Sequence, residues 1–237
     1  MTAGDYRPIG DRRWHEVTAM TSIGDRLFLI DQRLPYQIDL ADGGFRRVVD
    51  EYLDTTVLVG VDDGLYAVTD DRALYRIDPG DGAARRLSPD GEWARTTSGA
   101  GAPGVLYLVD GDRLYRVEPE TGAFAELGQD AWNPRVMVVA DGPCLVHDDG
   151  TLYRVADPDG SWTTIGRERI WADAVAGAAV DGTLYLVQQE YLYAVDLTTG
   201  ADRRVSDEPW DATHVVGCGA ALVIRTGDGN LYQVDVS

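Results

Sequence analysis

The amino-acid sequence predicts an all-β protein, a six-bladed β-propeller built from four-stranded blades, and three observations lead there. Six tyrosines fall at 36, 75, 115, 153, 193 and 232, at intervals of 39, 40, 38, 40 and 39, inside LPYQIDL, ALYRIDP, RLYRVEP, TLYRVAD, YLYAVDL and NLYQVDV. A second series runs 21 or 22 residues upstream of them: Trp14, Leu53, Trp93, Trp132, Trp171 and Trp210. Between these landmarks the chain breaks into short β-rich pieces with no sustained helical period, and an all-β repeat of about 40 residues is the signature of a propeller blade.

Each element of a blade can be justified in turn. In the fifth period AVAGAAV is followed by TLYLVQ, then YLYAVDL, then a Thr-Thr-Gly turn and DRRVS. Each piece has the length of a strand, and the recurring Leu, Tyr and Val suit a sheet buried on both faces. Asp-Gly and Gly-Asp pairs (Asp63-Gly64, Gly111-Asp112, Asp149-Gly150, Asp181-Gly182, Asp228-Gly229) supply positive-φ turns between the strands. The last period stops at LYQVDVS, one strand short. Aligning Gly4–Trp14 with Gly200–Trp210 matches Ile9 with Val205 and Asp11 with Asp207, so the N-terminal residues are expected to be the outer strand of the last blade and to close the ring. Closure removes edges that would otherwise template aggregation. Six such periods account for all 237 residues, one propeller domain over 1–237.

Composition excludes several function classes. Thirty-one Asp and 9 Glu stand against 21 Arg and no Lys, and 21 − 40 gives a net charge of −19. That sign argues against nucleic acid and against anionic membrane surfaces, which are held by clustered basic residues. Without Lys there is no Schiff-base lysine and no P-loop lysine. Two Cys, 74 residues apart, form neither a disulfide framework nor a zinc motif. They lie among small and apolar neighbours, as inert buried thiols do. The opening MTAGDYRPIG has no basic-then-apolar leader pattern, and no apolar run approaches the ~18 residues of a membrane span. The expectation is a soluble, cytoplasmic, monomeric protein without a cofactor. Much of the Asp excess falls at blade turns, and an Asp-rich, Lys-free composition suits either codon bias or salt adaptation.

The LYxVDxxTG element, seen as LYAVDLTTG at 192–200 and LYRVEPETG at 114–122, resembles PQQ-type, quinoprotein-like propeller repeats. The rhythm of Trp, a small-residue strand, then Asp-Gly-x-Leu-Tyr is similar to tectonin-type lectin repeats. Both likenesses imply the propeller fold, and the second implies sugar recognition.

In such a fold the first strand of each blade lines the central channel, and the loops leading into it (WHEVT, LDTTV, WARTT, WNPRV, WADAV, WDATH) shape one mouth. Aromatic rings with polar neighbours are what a sugar surface needs, since flat faces stack on C–H groups while polar side chains fix hydroxyls. Trp14, Trp93, Trp132, Trp171 and Trp210, with Arg95, Arg135, Asp173 and Asp211, are therefore the candidate ligand-binding residues. The competing reading makes these tryptophans wedges between blades, since packing demands recur in every repeat. Arg95 and Arg135 would together hold a carboxylate or phosphate. Blades one and six are neighbours across the seam, which would gather His15, Glu16, Asp211 and His214 in one quadrant for acid–base chemistry or a divalent metal. HEVTA departs from the H-E-x-x-H pattern at Ala19, and the Asp-Gly clusters lack EF-hand spacing. The leading expectation is a non-catalytic propeller that binds a carbohydrate, a small molecule or a protein. The alternative is a lyase, isomerase or hydrolase acting on a small polar or anionic substrate through His15, Glu16 and His214.

Overall fold

The structure, a computed structural model, describes residues 4–236. It contains 24 strands in six four-stranded antiparallel sheets, the blades of a β-propeller. Strand β1 (Tyr6–Pro8) precedes the first blade, which is β2 (Val17–Ile23), β3 (Arg26–Asp31), β4 (Leu34–Ile38) and β5 (Phe45–Arg47). The second blade is β6 (Thr55–Val61), β7 (Gly64–Thr69), β8 (Leu74–Ile77) and β9 (Ala84–Arg86), and the third is β10 (Thr96–Ala102), β11 (Val105–Asp110), β12 (Arg113–Val117) and β13 (Phe124–Glu126). The fourth is β14 (Pro134–Ala140), β15 (Gly142–His147), β16 (Leu152–Val155) and β17 (Trp162–Thr164). The fifth is β18 (Ala174–Val180), β19 (Thr183–Gln188), β20 (Tyr191–Asp196) and β21 (Asp202–Arg204). The sixth joins β22 (Ala212–Cys218), β23 (Ala221–Thr226) and β24 (Leu231–Asp235) to β1, with Tyr6 opposite Val234 and Pro8 opposite Tyr232. The two ends of the chain thus share one sheet, as the alignment of Gly4–Trp14 with the fifth repeat predicts. Among the described residues no helix is long and apolar enough to cross a membrane.

Two compact units divide the chain. An N-terminal unit comprises Glu16–Asp39 and Gly44–Trp132 and holds the first three blades; a C-terminal unit comprises the chain up to His15, Leu40–Gly43 and Asn133 onward, and holds the last three. In the N-terminal unit the first strands β2, β6 and β10 lie side by side; in the C-terminal unit β14, β18 and β22 do the same. Glycine makes this approach possible. A Cβ on Gly60 would lie 2.0 Å from the Ser22 carbonyl oxygen, and one on Gly217 would lie 2.6 Å from that of Ala179. The second strands are buried on both faces: LFLI of β3, LYLV of β11 and LYLV of β19 all lie in the core.

Within each unit one hydrogen bond recurs ahead of the blades. The backbone N–H at the Trp-series position donates to a carbonyl in the hairpin between the second and third strands of the preceding blade. The pairs are Trp14 to Gly229 (2.8 Å), Leu53 to Arg33 (2.6 Å), Trp93 to Arg72 (2.9 Å), Trp132 to Asp112 (2.7 Å), Trp171 to Gly150 (2.9 Å) and Trp210 to Glu190 (2.5 Å). The rings then fill the space between blades. Trp93 meets Tyr115 edge-on at 5.5 Å, Trp171 meets Tyr193 at 5.6 Å and Trp210 meets Tyr232 at 5.6 Å. The two periodic series are therefore two halves of one contact.

A third aromatic series begins the fourth strands: Tyr6, Phe45, Phe124 and Trp162, each opposite an aliphatic residue of the third strand. The second and fifth blades carry Ala84 and Asp202 in this place. Trp162, which belongs to neither of the first two series, belongs to this one and packs edge-on against Tyr153 at 5.2 Å.

The aspartates of the turns are held ionised by the turns themselves. Asp71 accepts from the Thr69 hydroxyl at 2.5 Å, the Tyr75 hydroxyl at 2.8 Å and the Ala73 N–H at 3.0 Å, and these bonds, Thr69 foremost, hold its carboxyl below the usual range. Asp149, Asp159 and Asp196 are lowered chiefly by backbone N–H donors from Thr151, Ser161 and Thr199, and Asp228 chiefly by the Thr226 hydroxyl. Carboxylates with a depressed folded pKa contribute stability that is present above the unfolded value of about 3.9 and is lost as pH falls through the folded values. Urea denaturation in 1 M NaCl, where the screening length is about 3 Å, removes the opposing self-repulsion. The midpoint is expected to be flat above about pH 5 and to fall below about pH 4; a midpoint unchanged down to pH 3 would contradict this role.

Candidate functional site

The first residues of each blade decide what the loop end of the sheet presents. Every first strand carries a β-bulge at the same place, between Val17 and Ala19, Thr55 and Val57, Thr96 and Ser98, Pro134 and Val136, Ala174 and Ala176, and Ala212 and His214. A bulge re-aims the extra side chain out of the ladder. Thr18, Thr97, Arg135, Val175 and Thr213 are accordingly exposed at this position, while the side chain of Thr56 lies outside the described residues. In the C-terminal unit the three are unlike one another: a cation, an apolar residue that is 57% exposed, and a hydroxyl, on the adjacent strands β14, β18 and β22.

In the first, third and fifth blades the second strand ends in a polar residue that fastens the leading loop. Asp31 is 3% exposed and accepts the Glu16 N–H at 2.9 Å. Asp110 accepts the Arg95 N–H at 2.8 Å and the Thr96 hydroxyl at 3.0 Å. Gln188 donates to the Ile170 carbonyl at 2.9 Å. His147 turns Nδ1 to Asp148 at 2.7 Å. In the sixth blade Arg225, 5% exposed, performs this task from one residue earlier. It donates to the Trp14 carbonyl at 3.0 and 2.6 Å, to the His15 carbonyl at 3.0 Å and to the Thr213 hydroxyl at 2.7 Å. Sequence reasoning passes over Arg225 because it sits inside ALVIRT, where strand periodicity alone predicts core.

Each candidate residue can now be placed. Trp14, Trp93, Trp132, Trp171 and Trp210 are 1–4% exposed, which corrects the expectation that they stack on a ligand: their rings are already enclosed, that of Trp14 beneath the Arg12 guanidinium at 4.1 Å. The indole N–H groups of Trp93 and Trp210 are buried without a protein acceptor, a cost of shape-filling that a polar recognition site would not carry. Arg95 is exposed and lies over Gly111. Arg135 occupies the fourth-blade bulge and donates from Nε to the Asp148 carbonyl at 3.2 Å. Asp173 accepts from Gln189 Nε2 at 2.7 Å, and Asp211 packs its carboxylate on Gly227, whose N–H it binds by its own carbonyl at 2.8 Å.

His15 and His214 are both drawn toward Arg225, but differently. His15 contributes its carbonyl, while His214 pairs with Arg225 in the ladder and sets Nδ1 3.1 Å from the Thr213 hydroxyl. Glu16 turns its backbone to Asp31. Among the described residues no three His, Cys, Asp or Glu side chains converge as a metal site, which corrects the metal reading of His15, Glu16, Asp211 and His214. Cys144 and Cys218 are buried, and burial pushes the Cys144 thiol up, away from reactivity.

Replacing Arg225 by Met keeps the volume and removes the donors that reach the buried Trp14 carbonyl and the part-buried His15 carbonyl. The expected loss is about 2–4 kcal/mol. Lys, a point charge without the guanidinium fork, should recover less than half of it. Chemical denaturation of the two variants checks this; a stability within about 0.5 kcal/mol of the parent for Arg225→Met would contradict it.

Comparison with known proteins supports the fold. No protein-family model and no curated protein matches the chain. Among solved structures it is similar to a structural-genomics protein of unknown function from Bacteroides thetaiotaomicron, with a TM-score of 0.76 and 11% identity over 100% of this chain and 73% of that one. It is similar to virginiamycin B lyase from Staphylococcus aureus (TM-score 0.63, 11% identity, 98% and 99% covered) and to YCF48 bound to D1 peptide (TM-score 0.58, 12% identity, 100% of both). PorZ of the Porphyromonas gingivalis type-IX secretion system also matches, at TM-score 0.62 and 9% identity, and this chain spans 39% of its length. At these identities the likeness is one of architecture: the chain folds as these propellers do.

Proposed function

We propose that the protein is a non-catalytic binding module that takes up a segment of a partner polypeptide on the bulge row of its C-terminal unit. The observation that carries this reading is the exposed trio Arg135, Val175 and Thr213, set on neighbouring strands by equivalent bulges. A polypeptide is the ligand class that such a mixed row suits, since it brings carboxylate or carbonyl groups for Arg135 and apolar groups for Val175. YCF48, a propeller of similar architecture, is described with a bound peptide.

Two features weigh against catalysis. The six first strands carry no carboxylate, and their only basic side chains are Arg135 and His214. The polar residues behind them (Asp31, Asp110, Gln188, Arg225) are spent on holding backbone. The sugar-binding form of the proposal loses its stacking surface with the burial of the Trp series, so a glycan would have to be held by polar contacts alone.

A random peptide library selected on the immobilised protein, and counter-selected on an Arg135→Glu/Val175→Asp variant, tests the reading. Both positions are exposed, so the variant should melt within a few degrees of the parent. Peptides retained by the parent and weakened roughly ten-fold or more by the variant are expected. A selection that yields no peptide weakened by the variant, a glycan array with strong hits, or turnover of a metabolite that His214→Ala abolishes would each overturn it.

A further inference from the structure

Two cavities of the molecule fall on the blades that lack the third aromatic. One, of about 420 Å³, is lined by Asp202 and its neighbours in the fifth blade, including Ala194, Leu197 and Arg203. The other, of about 500 Å³, lies in the N-terminal unit between the linker Arg47–Leu53 and the second blade's Ile77, Gly82 and Ala84. The third blade, in the same unit, shows what ordinarily fills such a space. There Trp93, Tyr115 and Phe124 form a closed set of edge-on rings, with centroid distances of 4.9–5.8 Å. In the second blade the corresponding residues are Leu53, Tyr75 and Ala84, one ring where the third blade has three. Leu53 is only partly buried, whereas Trp93 is 1% exposed.

The floor of the larger cavity is apolar, made by Val48 and Ile77 at 6% and 2% exposure. Its rim is acidic, with Asp50, Glu51 and Asp81 against the single guanidinium of Arg47, which lies 3.9 Å from Asp50. Tyr52 stands at the rim 68% exposed, with the Arg33 guanidinium 5.2 Å over its ring and Arg33 itself paired to Asp54 at 2.5 Å. An exposed aromatic beside a hollow with an apolar floor and a charged rim is what a recognition pocket presents.

From this we infer that the second-blade cavity is a docking pocket for an aromatic side chain of a partner polypeptide, flanked by Lys or Arg. The aromatic ring takes the place that the blade's own missing Trp and Phe leave open, and the flanking cations meet Asp50, Glu51 and Asp81. The site is distinct in residues from the bulge row and does not depend on it.

The probe is a fluorescein-labelled Gly-Lys-Trp-Lys-Gly peptide, with Gly-Lys-Ala-Lys-Gly as control, followed by anisotropy. The protein should bind the Trp peptide roughly ten-fold or more tighter than the Ala peptide, and added salt should weaken binding of both. Leu53→Trp and Ala84→Phe, each restoring a ring found in other blades, should abolish the preference, and Tyr52→Ala should reduce it. If Leu53→Trp fails to fold, Ala84→Phe and Tyr52→Ala still decide. The Arg135→Glu/Val175→Asp variant should retain full binding, which separates this pocket from the proposed function. No binding, equal binding of the two peptides, or a Trp preference that survives in a folded Leu53→Trp or Ala84→Phe variant would overturn the inference.

Discussion

The structure depends on one hydrogen bond that recurs with the repeat. A single backbone N–H, at Trp14, Leu53, Trp93, Trp132, Trp171 or Trp210, reaches a hairpin carbonyl of the preceding blade at 2.5–2.9 Å. Its position fixes where the chain turns inward, and so where the following strand begins and where its bulge falls. The indole attached to five of these six residues then seals the gap between sheets. Burying an aromatic of this size stabilises by several kcal/mol. Directional bond and non-directional burial therefore act at one residue.

Polar chemistry near the first strands follows from the same constraint. A loop that must hold its register needs its backbone groups satisfied. Asp31, Asp110, Gln188 and Arg225 satisfy them from the ends of second strands, with a carboxylate in two blades, an amide in another and a guanidinium in the last. Variety at these positions is a set of equivalent solutions to one structural demand. Variety at the bulge is different, because the side chains there face solvent and no packing requirement selects Arg135 or Val175.

Most of the architecture was legible in the sequence, because packing in a propeller repeats with the blade. The Tyr and Trp series gave the number of blades and the seam at Tyr6–Pro8, since each marks a contact every blade must make. What could not be read was the direction in which a ring faces. Trp93 and a sugar-stacking tryptophan have the same spacing and the same polar neighbours; only burial separates them. Arg225 was invisible for the converse reason, as a charged residue inside an apolar run whose partners are carbonyls 210 and 211 residues away. The third aromatic series was present in the text all along, but its gaps at Ala84 and Asp202 acquire meaning only when cavities are found beside them.

The central claim is that the periodic tryptophans are interior wedges. Acrylamide quenching of tryptophan fluorescence tests it most directly. Trp162 is 46% exposed and the other five are 1–4% exposed, so quenching should come from one residue and vanish in a Trp162→Phe variant. Quenching that persists in that variant at the parent's level would mean that ring faces of the periodic series reach solvent, and the account would fail.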